Sequence, residues 1–180
     1  GDFIPLAEET GLILELGSWV LKEACTTLAH WKQQAIPLTL SVNLSALQLQ
    51  QPDLIKQLSG LCQRYDFSPN KLILELTETA NIYDLNAVLP TLIKMRDLGI
   101  SIALDDFGTG YSSLTYLKRI PIDQLKIDQG FVRDILISTN DAEITKMIIV
   151  LAKTLGISVL AEGVETEAQR DMLEKQGCYH

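Results

Sequence analysis

The segment Gly99-Ile100-Ser101-Ile102-Ala103-Leu104-Asp105-Asp106 decides how this chain folds. Its short apolar run, Ile100 to Leu104, is typical of a buried strand. Gly99 ends the helical pattern that comes before the strand, and two aspartates follow directly after it. A helix, a buried strand and then polar residues together indicate one βα unit of a parallel sheet.

The same unit recurs along the chain. We predict strands at 38–43, 71–76, 100–104, 124–127 and 157–160, and helices at 13–34, 52–64, 84–98, 143–155 and 166–175. The strand centres are roughly 24 to 34 residues apart, which leaves room for a crossover helix in each interval. Two architectures satisfy this pattern, a doubly wound open sheet and a (β/α)₈ barrel, and the barrel needs about 250 residues.

Composition limits the class of protein. The 180 residues carry a net charge of −8 and are 47% hydrophobic, so the chain has enough apolar residues for a core. The negative charge argues against a protein that binds DNA or RNA polymers. We find no apolar run of about 18 residues and no secretory signal, and therefore expect no membrane contact by this segment. Three scattered cysteines, of which Cys25 is expected in the core, indicate free thiols and a cytoplasmic location.

Each predicted strand either ends in polar residues or leads directly into them. They are Asn43; Glu75 and Glu78; Asp105 and Asp106; Lys126 and Asp128; Glu162 and Glu165. In parallel α/β folds, the carboxyl ends of the strands carry the active site. Oxygen ligands of this kind suit Mg²⁺, Mn²⁺ or Ca²⁺, and two such ions could activate a water for attack on a phosphodiester. A nearby lysine could neutralise charge on the phosphate.

Each of these residues, taken alone, also has a structural explanation. These are an ion pair for Glu75, a turn cap for Asn43, a loop cap for Asp105-Asp106, a surface lysine for Lys126 and a helix-start acid for Glu162. Their joint placement at strand ends favours the functional interpretation.

Six motifs, in this order and spacing, resemble the EAL domain family. They are Phe3-Ile4-Pro5-Leu6-Ala7-Glu8-Glu9, Ser41-Val42-Asn43-Leu44-Ser45, Glu75-Leu76-Thr77-Glu78, Asp105-Asp106-Phe107-Gly108-Thr109-Gly110-Tyr111-Ser112, Leu125-Lys126-Ile127-Asp128 and Ala161-Glu162-Gly163-Val164-Glu165. The resemblance implies a TIM-like (β/α)₈ barrel with one antiparallel strand. It also implies a phosphodiesterase that hydrolyses cyclic di-GMP to linear pGpG with two Mg²⁺ or Mn²⁺ ions.

The resemblance also assigns roles to individual residues. It implies that Asn43, Glu75 and Asp105 bind one metal ion, that Asp105 bridges to a second ion, and that Asp106 lies beside it. Lys126 would contact the attacking water or the phosphate, and Glu162 would serve the second metal and the water. Glu78 would anchor the loop 106–113, and Asp128 and Glu165 would support the site. The family often dimerises near that loop, which points to Tyr116 and its neighbours.

Two departures from the family pattern concern the ends of the chain. The Glu-Ala-Leu signature would lie upstream of Phe3, and Gln176-Gly177 fits a helix end better than the last strand of the family. We therefore expect residues 1–180 to be a single EAL-type domain fragment that lacks the first and last strands and is itself a poor catalyst. A catalytically inactive receptor for cyclic di-GMP, signalling to a partner, is the alternative function.

Overall fold

The structure is a computed structural model that describes residues 3–77, 85–109 and 114–180. The chain divides into two compact units, the first with residues 3–76 and 85–102, the second with residue 77, 103–109 and 114–180. The predicted helix start at Asp84 and the predicted loop anchor Glu78 lie outside the described residues.

The first unit is built from helices and two parallel strands. Its elements are α1 (Phe3–Thr10), α2 (Ile13–Gln33), β1 (Leu40–Asn43), α3 (Ala46–Leu49), α4 (Leu54–Tyr65), a 3₁₀ turn (Pro69–Lys71), β2 (Leu72–Thr77) and α5 (Leu85–Asp97). β1 and β2 pair in parallel from Leu40 opposite Leu72 to Asn43 opposite Glu75. The predicted start of β1 at Leu38 is wrong, because Leu38 precedes the paired segment and is 54% exposed.

Helix α2 packs against α4 and β1. It buries Ile13, Leu21, Ala24, Cys25 and Leu28, whose three- and four-residue spacings form one apolar stripe. The core position predicted for Cys25 is confirmed. Burial raises the pKa of its thiol to about 12, with a smaller contribution from Cys62, so the thiol stays protonated at neutral pH. All three cysteines are free thiols, as predicted.

The second unit is built around three parallel strands. Its elements are β3 (Ser101–Phe107, which enters this unit at Ala103), α6 (Leu114–Leu117), β4 (Gln124–Ile127), α7 (Gln129–Asp134), α8 (Thr139–Leu155), β5 (Ser158–Ala161) and α9 (Glu167–Gln176). β4 pairs in parallel with β3 on one side and with β5 on the other. Helix α8 covers β4 and β5 and packs against α7.

The core of the second unit lies between these strands and helices. Leu104, Leu125, Ile127, Val132 and Ala152 are completely buried. Burial of each large aliphatic side chain contributes about 1.5–3 kcal/mol to the free energy of unfolding. The strands that carry the polar residues are therefore fixed by the packing of their apolar neighbours.

Helices α7 and α8 show how local contacts change the predicted pattern. α8 begins at Thr139 rather than Glu143, because the Ser138 side chain accepts a hydrogen bond from Asp141 N and caps the helix earlier. α7 is not predicted at all, and its six residues are too few to show a helical period. Asp128 starts α7 by accepting a hydrogen bond from Gly130 N at 2.8 Å.

The last helix confirms the prediction at both ends. The Thr166 side chain caps α9, and Gly177 ends it in the left-handed conformation at φ 98°. Gln176-Gly177 is thus a helix end, as the sequence indicates. Within the described ranges, no helix has the combined length and apolar character needed to cross a bilayer.

Candidate active site

The carboxyl ends of β3, β4 and β5 bring together acids and a lysine within the second unit. Asp105 and Asp106 lie near the end of β3, Lys126 lies in β4, and Glu162 directly follows β5. The backbone N–H of Glu162 donates a hydrogen bond to Ile127 O at 3.2 Å, which continues the ladder one residue beyond β5. The expected clustering at strand ends is therefore present in this unit.

A shift in the register between β3 and β4 determines where Asp105 and Asp106 lie. Leu104 lies opposite Leu125 and Phe107 lies opposite Ile127, so β3 has two residues where β4 has one, Lys126. A regular strand directs consecutive side chains to opposite faces of the sheet. The extra residue interrupts this alternation, and Asp106 takes a left-handed φ of 54°. The two consecutive carboxylates can thereby approach the same point.

Lys126 is the positive centre of this group. Its Nζ lies 3.0 Å from Asp105 Oδ1 and 2.6 Å from Glu162 Oε1. The residue is only 7% exposed, so the alternative of a surface lysine is wrong. A buried ammonium loses its hydration, and the two carboxylates compensate for that loss. The pairing fixes the lysine amine between the strands β3 and β5.

The acids outnumber the lysine. Carboxylate oxygens of Asp105, Asp106 and Glu162 all lie within 4.8 Å of one another. Burial raises the pKa of Asp106, and the neighbouring charges of Asp105, Asp128 and Glu162, together with a hydrogen bond to the Asp128 side chain, raise it further. A single ammonium does not neutralise this group, which therefore favours an additional cation.

The donor set fits a hard divalent ion. Carboxylate oxygens are the ligands that Mg²⁺ and Mn²⁺ prefer, whereas the cysteines are distant in sequence and have protonated thiols. Asp105, Asp106 and Glu162 could each offer one oxygen to such an ion. The chemistry of the residues is thus consistent with the metal site that the sequence predicts.

Asp128 and Glu165 hold the loops around the acids. The Asp128 side chain caps α7 and also contacts Asp106 through a side-chain hydrogen bond. The backbone N–H of Glu165 donates to Gln169 Oε1 at 2.9 Å. Asp128 thus contacts the acidic group directly, whereas Glu165 is held next to it through its backbone, and the supporting roles of both residues remain predictions.

Asn43 and Glu75 form a second pair of candidate ligands within the first unit. They lie opposite each other at the ends of β1 and β2, and Leu44 N donates to Glu75 O at 2.8 Å. Glu75 is buried and Asn43 is exposed. The alternative of Asn43 as a turn cap is wrong, because the Ser45 side chain caps α3.

The sequence interpretation overlooked Gln169. This residue is 6% exposed and makes hydrogen bonds to the loop after β5 and to α7. Its signal in the sequence is Thr166-Glu167-Ala168-Gln169, a capping box at the start of α9. The box predicts the cap, but the contact with α7 depends on tertiary packing.

Comparison with known proteins identifies one family over the whole chain. The model of the EAL domain family matches residues 1–180. The bifunctional diguanylate cyclase/cyclic di-GMP phosphodiesterase MucR of Pseudomonas aeruginosa is 45% identical over 179 residues, which are 99% of this chain and 26% of that protein. The chain thus spans about a quarter of the length of this curated relative.

Two solved structures describe the same fold with ligands. The PaMucR phosphodiesterase in complex with c-di-GMP is 45% identical, has a TM-score of 0.94, and is matched over 99% of this chain and 72% of its own. The manganese/cyclic di-GMP complex of BlrP1 from Klebsiella pneumoniae is 32% identical, has a TM-score of 0.79, and is matched over 90% and 42%. The predicted fold class, a TIM-like α/β barrel of this type, is confirmed.

Proposed function

The chain belongs to the EAL domain family, and on that premise we propose that the protein is a metal-dependent phosphodiesterase that hydrolyses cyclic di-GMP to linear pGpG. The observation that carries this proposal is the buried Lys126 between Asp105 and Glu162, with Asp106 beside them. The relative MucR is named a cyclic di-GMP phosphodiesterase, and the similar PaMucR structure is a complex with c-di-GMP. The family match over residues 1–180 supports a single domain of this type.

The proposed metal ligands are the residues that the family resemblance implies. Asn43, Glu75 and Asp105 would hold one ion, and Asp105, Asp106 and Glu162 would hold the second. The ions are Mg²⁺ or Mn²⁺, in agreement with the oxygen donors and with the manganese in the similar BlrP1 complex. Glu78, Asp128 and Glu165 are proposed to support these ligands.

Hydrolysis makes one phosphorus–oxygen bond and breaks another. A water oxygen bonds to phosphorus, the P–O3′ bond breaks, and the released 3′ oxygen takes up a proton. The bound ions would supply Lewis acidity to the phosphodiester and the water. Lys126 Nζ can donate a hydrogen bond to the water or to a phosphate oxygen, and the carboxylates of Asp106 and Glu162 can accept the proton of the water.

We further propose that the protein forms homodimers and acts in the cytoplasm. The family resemblance points to Tyr116 and its neighbours as the dimer contact, and the Tyr116 side chain lies outside the described residues. Separately, helix α8 presents Met147 and Val150 to solvent, at 65% and 55% exposed, which would suit an apolar contact to a second copy. Free thiols agree with a reducing compartment. Light scattering of the protein and of Val150→Lys tests the dimer: the variant is expected to be monomeric.

The test of the activity uses the complete protein with cyclic di-GMP and either Mn²⁺ or Mg²⁺. We expect linear pGpG as the product, resolved by chromatography, and loss of hydrolysis in Asp105→Asn with the fold retained by circular dichroism. Asp171→Asn, on the exposed surface of α9, is the matched control. Binding of cyclic di-GMP without hydrolysis would instead favour a receptor that signals to a partner.

A further inference from the structure

Strand β4 and the loop after β5 supply the partners of the ion pair at the proposed active site. Lys126 lies in β4, which leads through Asp128 into α7, and Glu162 follows β5 and leads through Glu165 into α9. The position of the loop after β5 relative to β4 and α7 therefore sets the distance between the Lys126 amine and the Glu162 carboxylate, which is 2.6 Å.

Gln169 holds the loop after β5 with one end of its side chain. Oε1 accepts hydrogen bonds from Glu165 N at 2.9 Å, from Thr166 N at 3.0 Å and from Thr166 Oγ1 at 3.1 Å. The backbone N–H of Gln169 donates in return to Thr166 Oγ1 at 3.2 Å. These contacts are the ordinary reciprocal bonds of a capping box, with one additional donor from Glu165.

The other end of the same side chain reaches α7. Nε2 donates to Val132 O at 3.2 Å and to Arg133 O at 3.3 Å, both in the last turn of that helix. Carbonyls at the end of a helix lack partners within the helix, so a buried amide is a favourable donor to them. Gln169 is therefore bonded at one end to the loop that carries Glu162 and at the other to the helix that follows Lys126.

Other contacts hold the start of the loop after β5 against β4 and α7. Glu162 N donates to Ile127 O, and the left-handed Gly163 approaches Gln129 so closely that an added Cβ would lie 2.8 Å from the Gln129 Cβ. Gln169 fixes the far end of the same loop. The segment 162–166 is thus held at both ends against β4 and α7.

We propose that Gln169 is a positioning residue for Glu162. By joining the loop after β5 to the last turn of α7, its side chain holds the Glu162 carboxylate where it meets Lys126 and the proposed metal ion. The proposal rests on the proposed function, because a metal ion and a reaction are what the placement of Glu162 would serve. Gln169 itself touches neither the ion nor the substrate.

The test distinguishes the contact of Gln169 with α7 from its role in the capping box of α9. Gln169→Glu at about pH 8 keeps an acceptor oxygen for the capping box, now that of a carboxylate, but places its second oxygen against the two carbonyl oxygens of α7. Gln169→Met keeps the length of the side chain and removes all its polar contacts, which provides a neutral second variant if Gln169→Glu does not fold. Gln176→Glu is the matched control, because Gln176 Nε2 donates to Ala142 O at 3.1 Å from the other end of α9.

Three measurements on the complete protein test the proposal. Hydrogen exchange of amides 162–166 in the metal-free protein, the Mn²⁺ dissociation constant from free-Mn²⁺ EPR, and kcat against KM for cyclic di-GMP are compared among the variants. Removal of a group that orients a metal ligand weakens metal binding or activity by about 10–100-fold. For both Gln169 variants we expect faster exchange, roughly tenfold weaker Mn²⁺ binding, and a loss in kcat larger than the change in KM. Gln176→Glu should match the wild type in all three.

The outcomes distinguish the two proposals. Wild-type exchange at 162–166 in both Gln169 variants, or faster exchange with unchanged Mn²⁺ affinity, would overturn the positioning role. Absence of cyclic di-GMP hydrolysis by the wild-type protein would overturn the proposed function instead, while the exchange and Mn²⁺ measurements would still decide the role of Gln169.

Discussion

The Lys126 amine lies 2.6 Å from Glu162 Oε1, so the ion pair joins β4 to the residue that follows β5. The same amine contacts Asp105 in β3. A positive charge at this point can serve a phosphate and a water, but it has the same sign as a metal ion. Loss of Lys126 should therefore lower the catalytic rate without weakening metal binding.

Replacement of Lys126 tests this separation. We expect Lys126→Met to lower kcat by about 10²–10³-fold, because a donor to the reacting phosphate or water is lost. The Mn²⁺ affinity should not fall, because no ligand is removed and a competing positive charge disappears. Lys146→Met is the control, since its loose contact with Glu143 at 3.9 Å lies on the surface of α8. Strongly weakened Mn²⁺ binding in Lys126→Met would contradict the assignment.

Asp106 should make the stability of the metal-free protein depend on pH. Its pKa in the folded protein lies above the ordinary 3.8, so the folded state binds the proton more tightly than the unfolded state. As the pH rises from about 4 through the folded-state pKa, ionisation of Asp106 removes stability. Asp106→Asn removes that cost and should raise the melting temperature at pH 7.

The size of the effect is small because Asp106 is only partly buried. We expect a rise of about 2 °C at neutral pH, and the difference from wild type should vanish toward pH 4. Calorimetry in EDTA measures both values, with Asp171→Asn as the exposed control. If Asp106→Asn were more stable than the wild type at low pH and not at neutral pH, the result would contradict a raised pKa of Asp106.

Gly163 and Gly156 provide a matched pair of substitutions. Both glycines have a left-handed φ, 69° and 72°, but a Cβ at Gly163 would lie 2.8 Å from Gln129 Cβ, whereas Gly156 has open space. Gly156→Ala should cost about 1–2 kcal/mol of unfolding free energy, because the added Cβ is strained at a left-handed φ. Gly163→Ala adds the clash and should cost about 2–4 kcal/mol.

Gly163→Ala and Gly156→Ala should also differ in catalytic activity. We expect kcat to fall by at least tenfold in Gly163→Ala, because displacement of a catalytic group by about 1 Å can cost up to 10²-fold. Gly156→Ala should retain the wild-type rate. Denaturant unfolding and steady-state kinetics measure both effects, and equal costs for the two variants would contradict the close approach of Gly163 to Gln129.

Removal of metal should lower the melting temperature. An ion that binds the folded state at a concentration 100-fold above its dissociation constant adds about 2.7 kcal/mol of stability. For a chain of this length, that energy corresponds to a rise of about 5–10 °C. We expect Mn²⁺ to produce this rise, EDTA to reverse it, and Asp105→Asn to abolish most of it. An equal response in Asp105→Asn and the wild type would place the ion elsewhere.

The fold could be predicted because its signals are local. Short apolar segments mark β2 and β3, and α9 shows both its cap and its terminal glycine. α7 could not be predicted in this way. It has six residues, and its start depends on one contact between Asp128 and Gly130.

The sequence predicts that acids and a lysine gather at the strand ends, but it does not predict their geometry. Strand ends identify Asp105, Lys126 and Glu162, yet Lys126 taken alone favours a surface position. Its burial follows from three strands that meet only in the folded chain. The contact of Gln169 with α7 joins residues 36 and 37 positions apart, which no local pattern can indicate.

The register shift in β3 also bears on how the protein balances folding against chemistry. Leu104 and Phe107 pair with Leu125 and Ile127, so removal of Asp106 would leave both pairs in place and restore an uninterrupted ladder. The sheet alone would be more regular without this residue, whereas the proposed reaction requires its carboxylate. The irregular ladder at Asp106 is therefore an example of a site that is less regular than the sheet around it, as expected where a scaffold also carries a reacting group.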